Sequence, residues 1–105
     1  MKKIITNRGF KYVEFEDISG DSCSLQESSS YEPRIWLGKN NVVPRLFLPD
    51  IDKTKTGWIN YPIPDYVKIF ARMELNQEQV KELLPYLEYF AEHGVLPKFE
   101  SDKGD

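Results

Sequence analysis

Two residue types that often carry chemistry are almost missing from this chain, which has one cysteine, Cys23, and one histidine, His93. A lone cysteine closes no internal disulfide, so nothing in the sequence asks for an oxidising compartment. A lone histidine excludes multi-histidine metal sites, and any catalytic triad would have to use His93 itself. A basic surplus is lacking as well. Fourteen Lys and Arg against seventeen Asp and Glu leave a net charge of −3, whereas general duplex binders gain affinity by neutralising phosphates. The glycines, at 9, 20, 38, 57, 94 and 104, are scattered and form no phosphate-cradling loop. No apolar run approaches the ~18 residues of a membrane span. The opening Met1-Lys2-Lys3-Ile4-Ile5 is charged like the start of a signal peptide. It passes straight into Thr6-Asn7-Arg8-Gly9, without the apolar stretch such a segment requires. The expected location is the cytoplasm, with no membrane association.

What is present suits one small folded domain. A chain of 105 residues fits a single domain. At 40% hydrophobic and 13% aromatic residues it has enough apolar surface to offset the entropy of folding. The clearest strand pattern covers residues 67–75, where Val67, Ile69, Ala71, Met73 and Leu75 alternate with Lys68, Phe70, Arg72 and Glu74. Asn76 then offers a side-chain acceptor to the free amides of a helix start, and Gln79 can complete a capping box. The helix is expected to run to about His93 and stop at Gly94. Val80, Leu83, Leu84, Leu87, Phe90 and Ala91 gather on one side at 3.6-residue spacing, with glutamates on the other. Pro85, on the polar side, predicts a bend around a sheet, convex to solvent.

The first third reads as strands. Residues 10–18 place Val13 and Phe15 on one face, Ser19-Gly20-Asp21 is turn chemistry, and residues 23–26 return with Cys23 and Leu25 inward. A second turn at Ser28-Ser29-Ser30 and Glu32-Pro33 precedes Arg34-Ile35-Trp36-Leu37. Residues 39–65 form a long proline-punctuated segment, a loop or hairpin insertion in which Leu46-Phe47-Leu48 and Trp58-Ile59-Asn60-Tyr61 flank a polar stretch. Residues 97–105 form a short polar tail, expected to be mobile. The fold class expected is α+β: a mainly antiparallel sheet of four strands with one bent C-terminal helix packed across one face.

Catalytic readings are each met by a plainer one. His93 in the last helical turn suits free carbonyls there. Cys23 could pair with His93 as a nucleophile dyad, but the strand pattern turns it inward, where a thiol behaves as a small apolar group. Ser28-Ser29-Ser30 lacks the glycine-flanked elbow of a serine nucleophile. No carboxylate spacing matches a calcium loop or a paired-acid site. No catalytic residue, metal site or cofactor is expected, and the chain is read as a non-enzyme.

Two binding readings remain. Arg34, Lys39, Arg45, Lys53 and Lys55 interleave with Trp36, Phe47, Trp58 and Tyr61, a pattern that can stack and track single-stranded nucleic acid. The plainer account makes Trp36 and Phe47 core and the lysines a solvated loop tip. The other reading takes Trp58, Tyr61 and Tyr66, with Arg45 beside them, as aromatic anchors for a protein partner. Self-association is a third possibility, with Phe70 on the outer face of the late strand as its motive.

Several segments, taken in order, carry a likeness: Gly9-Phe10 and Phe15; Cys23 through Ser29; Ile35-Trp36-Leu37-Gly38; Gly57-Trp58; Tyr61-Pro62-Ile63-Pro64; Arg72-Met73-Glu74-Leu75; Leu83-Leu84-Pro85; and Phe90 and Gly94. Across residues 7–96 the chain resembles a family of small uncharacterised proteins associated with phages and prophages. The resemblance implies a setting, the host-cell cytoplasm, and assigns no activity and no site residue. The expectation is a non-enzymatic accessory protein that binds a host or phage protein, in an anti-defence or regulatory role. A single-stranded nucleic-acid module and a structural homo-oligomer are the alternatives.

Overall fold

Period-two alternation recurs in five segments, and these pair into one fully antiparallel sheet in the computed structural model, which describes residues 1–99. The strands are β1 (Lys2–Ile5), β2 (Lys11–Glu16), β3 (Ser22–Glu27), β4 (Arg34–Lys39) and, after a long excursion, β7 (Arg72–Asn76). Their order is β1-β2-β3-β4-β7. Within the excursion, β5 (Arg45–Phe47) and β6 (Trp58–Asn60) form a separate two-stranded hairpin. Helix α1 (Gln77–His93) follows β7 directly.

The register sorts the side chains into two unlike faces. Val13 pairs with Leu25, Leu25 with Leu37 and Leu37 with Met73, while Phe15 pairs with Cys23 and Ile35 with Leu75. Residues directly opposite each other share a face, so these form one apolar face. The other face carries Tyr12, Gln26 and Trp36 in one row and Glu14, Ser24 and Arg72 in the next. A hydrogen-bond network ties that polar face together. Ser24 donates to Asn40 Oδ1 at 2.6 Å, and the Asn40 amide donates to Ser22 Oγ at 2.8 Å and to the Tyr12 hydroxyl at 3.1 Å. Arg72 donates to Gln26 Oε1 at 2.8 Å and lies 5.7 Å from the centre of the Trp36 ring. Ser24 is fully buried, and among the described residues no buried side-chain polar atom lacks a partner.

Turn and cap chemistry fall where the residues direct them. Gly20 takes a positive φ of 85° in the β2–β3 turn, and its amide donates to the Asp17 carbonyl. Asn76 and Gln79 form a reciprocal capping box, at 2.9 and 3.0 Å, and Gly94 ends the helix at φ 75° with its amide on the Phe90 carbonyl.

Three expectations need correction. The sheet has five strands rather than four, because the charged opening segment, with Ile4 and Ile5, pairs onto β2 as an edge strand. The late strand is shorter than residues 67–75. Its first half is irregular, so Phe70 is 87% exposed beside the sheet rather than on it. The helix runs through Pro85 without interruption, and it is not bent around the sheet, because it does not lie on the sheet. Beyond its continuation from β7 it makes at most marginal contact with other elements, and no residue of it is buried. The expected mobile tail from residue 97 lies, for residues 100–105, outside the described residues.

The consequence is an unusually open chain. Cys23 is the one buried hydrophobic residue among the described residues. The radius of gyration is 18.5 Å, where a compact chain of this length has about 13 Å. The exposed surface is 9209 Å², where a compact 12.3 kDa chain exposes roughly 6,100 Å².

Among the glycines of the described residues, Gly38 is the one with neighbouring backbone packed against it. At φ 149° in β4, a Cβ there would meet the Ala71 carbonyl oxygen and come within 2.7 Å of Arg72 Cα. Gly38→Ala is therefore expected to destabilise the β4–β7 pair by about 1–3 kcal/mol. A urea midpoint unchanged from the parent would contradict this close approach.

Candidate interaction surface

One side of α1 is an uncovered apolar surface. Its stripe of Val80, Leu83, Leu84, Leu87, Phe90 and Ala91 follows from apolar residues three and four apart. Tyr86 widens the stripe at one margin, while Glu88 and Lys81 border the other. Leu87 is 51% exposed, and only Val80 is partly covered. Where the helix leaves the sheet, Phe10, Tyr31, Ile35, Leu75, Val80 and Leu84 line an open cleft of about 590 Å³. This cleft joins the helix stripe to the apolar face of the sheet. On that face Met73 is 53% exposed and Ile5 is also exposed, while Val13, Phe15, Leu25, Ile35, Leu37 and Leu75 are part-buried. The charged side chains Lys3, Lys11, Glu27 and Lys39 lie on the same face by register, opposite Val13, Ile5, Ile35 and Cys23.

The residues singled out from the sequence sit on the hairpin and the segment after it. Trp58 stacks on Phe47 across the β5–β6 pair, with ring centres 4.8 Å apart. It stays 64% exposed and shares an open cleft of about 680 Å³ with Arg45, Asp21 and Lys39. Tyr61 leaves the end of β6, its amide on the Pro44 carbonyl at 2.8 Å. Strand alternation puts it on the Ile59 side, away from Trp58. Tyr66 occupies a separate turn after Pro64 and is 84% exposed. Arg45 and Trp58 thus come together, while Tyr61 and Tyr66 stand apart from them.

Two of the five cations in the middle third are already engaged by carboxylates. Lys39 contacts Asp21 at 2.8 Å and Asp17 at 3.3 Å, and Arg34 sits 3.7 Å from both Glu74 and Glu32. Asp21 and Asp17 together raise the Lys39 pKa above its ordinary value. A cation held this way is poorly placed to follow a phosphate backbone. Cys23 and His93 have different surroundings. The Cys23 thiol faces the Asp21 carbonyl at 3.6 Å, whereas His93 stacks on Tyr89 at 4.2 Å and lies 3.7 Å from Glu92. Among the described residues no group of three or more His, Cys, Asp or Glu could hold a metal ion, and no helix is long and apolar enough to cross a membrane.

No protein-family model, curated protein or solved structure matches the chain.

The stripe residues were visible in the sequence, but as core. The signal that would have corrected this is the missing connection. The strand pattern ends at Leu75 and the cap is Asn76, which leaves no residue to turn the helix back.

The turn beside Lys39 yields a pH prediction. The Asp17 carboxylate accepts from the amides of Asp21 and Ser19, at 3.0 and 2.9 Å, and faces Lys39. The Asp21 amide is the leading cause that lowers the Asp17 pKa below 3.8. A depressed folded-state pKa means the contribution to stability is complete above the ordinary value and is lost as pH falls through the folded one. Asp17→Asn is therefore expected to lower the urea midpoint at neutral pH, with the difference closing well below 3.8. A difference that stays constant into strong acid would contradict this role.

Proposed function

We infer that this chain is a non-enzymatic protein-binding module whose docking surface is the α1 stripe together with the apolar face of the sheet. The observation that carries this reading is the uncovered helix. Isolated helices of about 15 residues are marginal in water, and most helices in proteins are held by packing of their apolar face. A 17-residue helix with no buried residue therefore calls for a partner surface. Contiguous exposed apolar patches of this kind mark interaction sites on soluble proteins.

The resemblance to phage- and prophage-associated proteins supports a setting in the host-cell cytoplasm. There the partner would be a host or phage protein and the role anti-defence or regulatory. Trp58 and Arg45, exposed at one cleft of the hairpin, fit a secondary contact at the rim.

A second reading is favoured by one feature of the polar face. Arg8 stacks on Phe10 at 5.5 Å and Arg72 on Trp36 at 5.7 Å, and all four line one cleft of about 350 Å³. Paired guanidinium and aromatic groups suit a single-stranded nucleic acid better than the middle-third cations do.

Capture from nuclease-treated lysate of host cells that also express an untagged copy of the chain separates the two. Tagged protein is expected to retain a protein partner, and Leu84→Glu with Leu87→Glu is expected to reduce its recovery at least tenfold while leaving the β-sheet circular dichroism intact. Recovery unaffected by the double substitution would contradict the docking surface. Capture that nuclease abolishes, and that Arg72→Ala also abolishes, would favour the nucleic-acid reading.

A further inference from the structure

The open surfaces of this chain are complementary to each other, yet the chain cannot bring its own two together. Asn76 is at once the last residue of β7, paired with Arg34, and the N-cap of α1. Strand-to-helix connections that fold a helix back over its sheet usually take 2–6 residues. Here there are none, and the capping box at 2.9 and 3.0 Å fixes the junction. The two-layer packing that the apolar pattern calls for is thus denied within one chain.

We propose that the partner is a second copy of this chain, and that the two exchange helices, each α1 stripe lying on the apolar sheet face of the other copy. The proposal rests on the docking surface inferred above and names its occupant. Two observations support a second copy over an unrelated protein. The first is that one chain carries both halves of the pairing, which is what a two-fold, self-complementary interface needs, and exchange of an identical element is a low-cost route to such a dimer.

The second is area. Residues 100–105 cannot contribute more than about 950 Å² even at full exposure, which leaves the rest of the chain roughly 2,000 Å² above a compact one. A surplus of that size on each of two chains falls within the 2,000–5,000 Å² typically buried between obligate homodimer subunits.

Light scattering across a concentration series of the intact chain tests the assembly. The expected mass is twice the 12.3 kDa of one chain, falling to one chain for Leu84→Glu with Leu87→Glu. A single-chain mass at every concentration, or a dimer that the double substitution leaves intact, overturns the proposal. The geometry is tested separately, with Cys23→Ser in all chains. One population carries Met73→Cys on the sheet and the other Leu87→Cys on the helix, and a bismaleimide is added. Crosslinked dimer is expected mainly in the mixture. A yield no greater there than in either population alone overturns the helix-to-sheet exchange. If the chain proves monomeric while lysate capture still depends on Leu84 and Leu87, the second copy is wrong and the docking surface stands. If capture is also indifferent to those residues, both fall.

Discussion

The rest of the structure depends on how β7 is joined to α1. Asn76 closes the sheet ladder opposite Arg34 and, through its side chain, caps the helix whose first residue is Gln77. Because one residue serves both elements, the helix departs from the sheet at an angle set by the backbone of Asn76, with φ −88° and ψ 176°. Nothing in the chain turns it back. An amphipathic helix that in most small α+β domains would close the core is instead held out from it. The apolar face of the sheet then stays open, and Cys23 is its one buried apolar residue.

The two faces of the sheet divide the work of holding the chain together. On the polar face, Ser24, Asn40, Tyr12, Ser22, Gln26 and Arg72 link β2, β3 and β7 with the residue that follows β4, through hydrogen bonds of 2.6 to 3.1 Å. Such bonds are individually modest, but a network without unpaired buried groups fixes the register of the strands. The apolar face has the residues of a core without its burial. Covering it would supply the hydrophobic contribution that a chain of this size otherwise lacks, at about 25 cal/mol per Å² of apolar surface. Any surface that covered the helix and the sheet face would therefore add to the stability of the fold as well.

Local structure was largely legible in the sequence because its signals are local. Asn76 with Gln79, Gly94 and Gly20 each announce a cap or turn whose geometry the backbone adopts, and the alternation around Val13, Phe15, Cys23 and Leu25 tells which side chains share a face but not how the strands are ordered. Residues 67–71 misled, because their alternation is as regular as a strand's while no neighbouring strand is there to pair with it. The opening Lys2-Lys3-Ile4-Ile5 misled in the other direction, since two lysines on a short strand hide its pairing; charged residues are common on edge strands for that reason. The largest difference concerns α1. Its stripe was expected to pack on the sheet of the same chain, and in the structure no residue of the helix is buried; periodicity marks an apolar face and says nothing about what covers it. That information lies in the length of a connection, and here the connection has no length. The hairpin carrying Trp58 and Arg45 was visible from its flanking apolar triplets, whereas the separation of Tyr61 and Tyr66 from Trp58 depends on strand parity and on a turn after Pro64.

The central claim is that α1 is held by something other than its own sheet. Hydrogen exchange of the amides in Gln77–His93, measured in the parent protein and in the chain carrying Leu84→Glu and Leu87→Glu, tests it most directly. The account predicts slow exchange in the parent, comparable with central strand β3, and exchange close to that of a free peptide in the substituted chain, with β3 still protected in both. Equal protection of α1 in the two proteins would contradict it, because the helix would then be held by contacts that do not involve its apolar stripe.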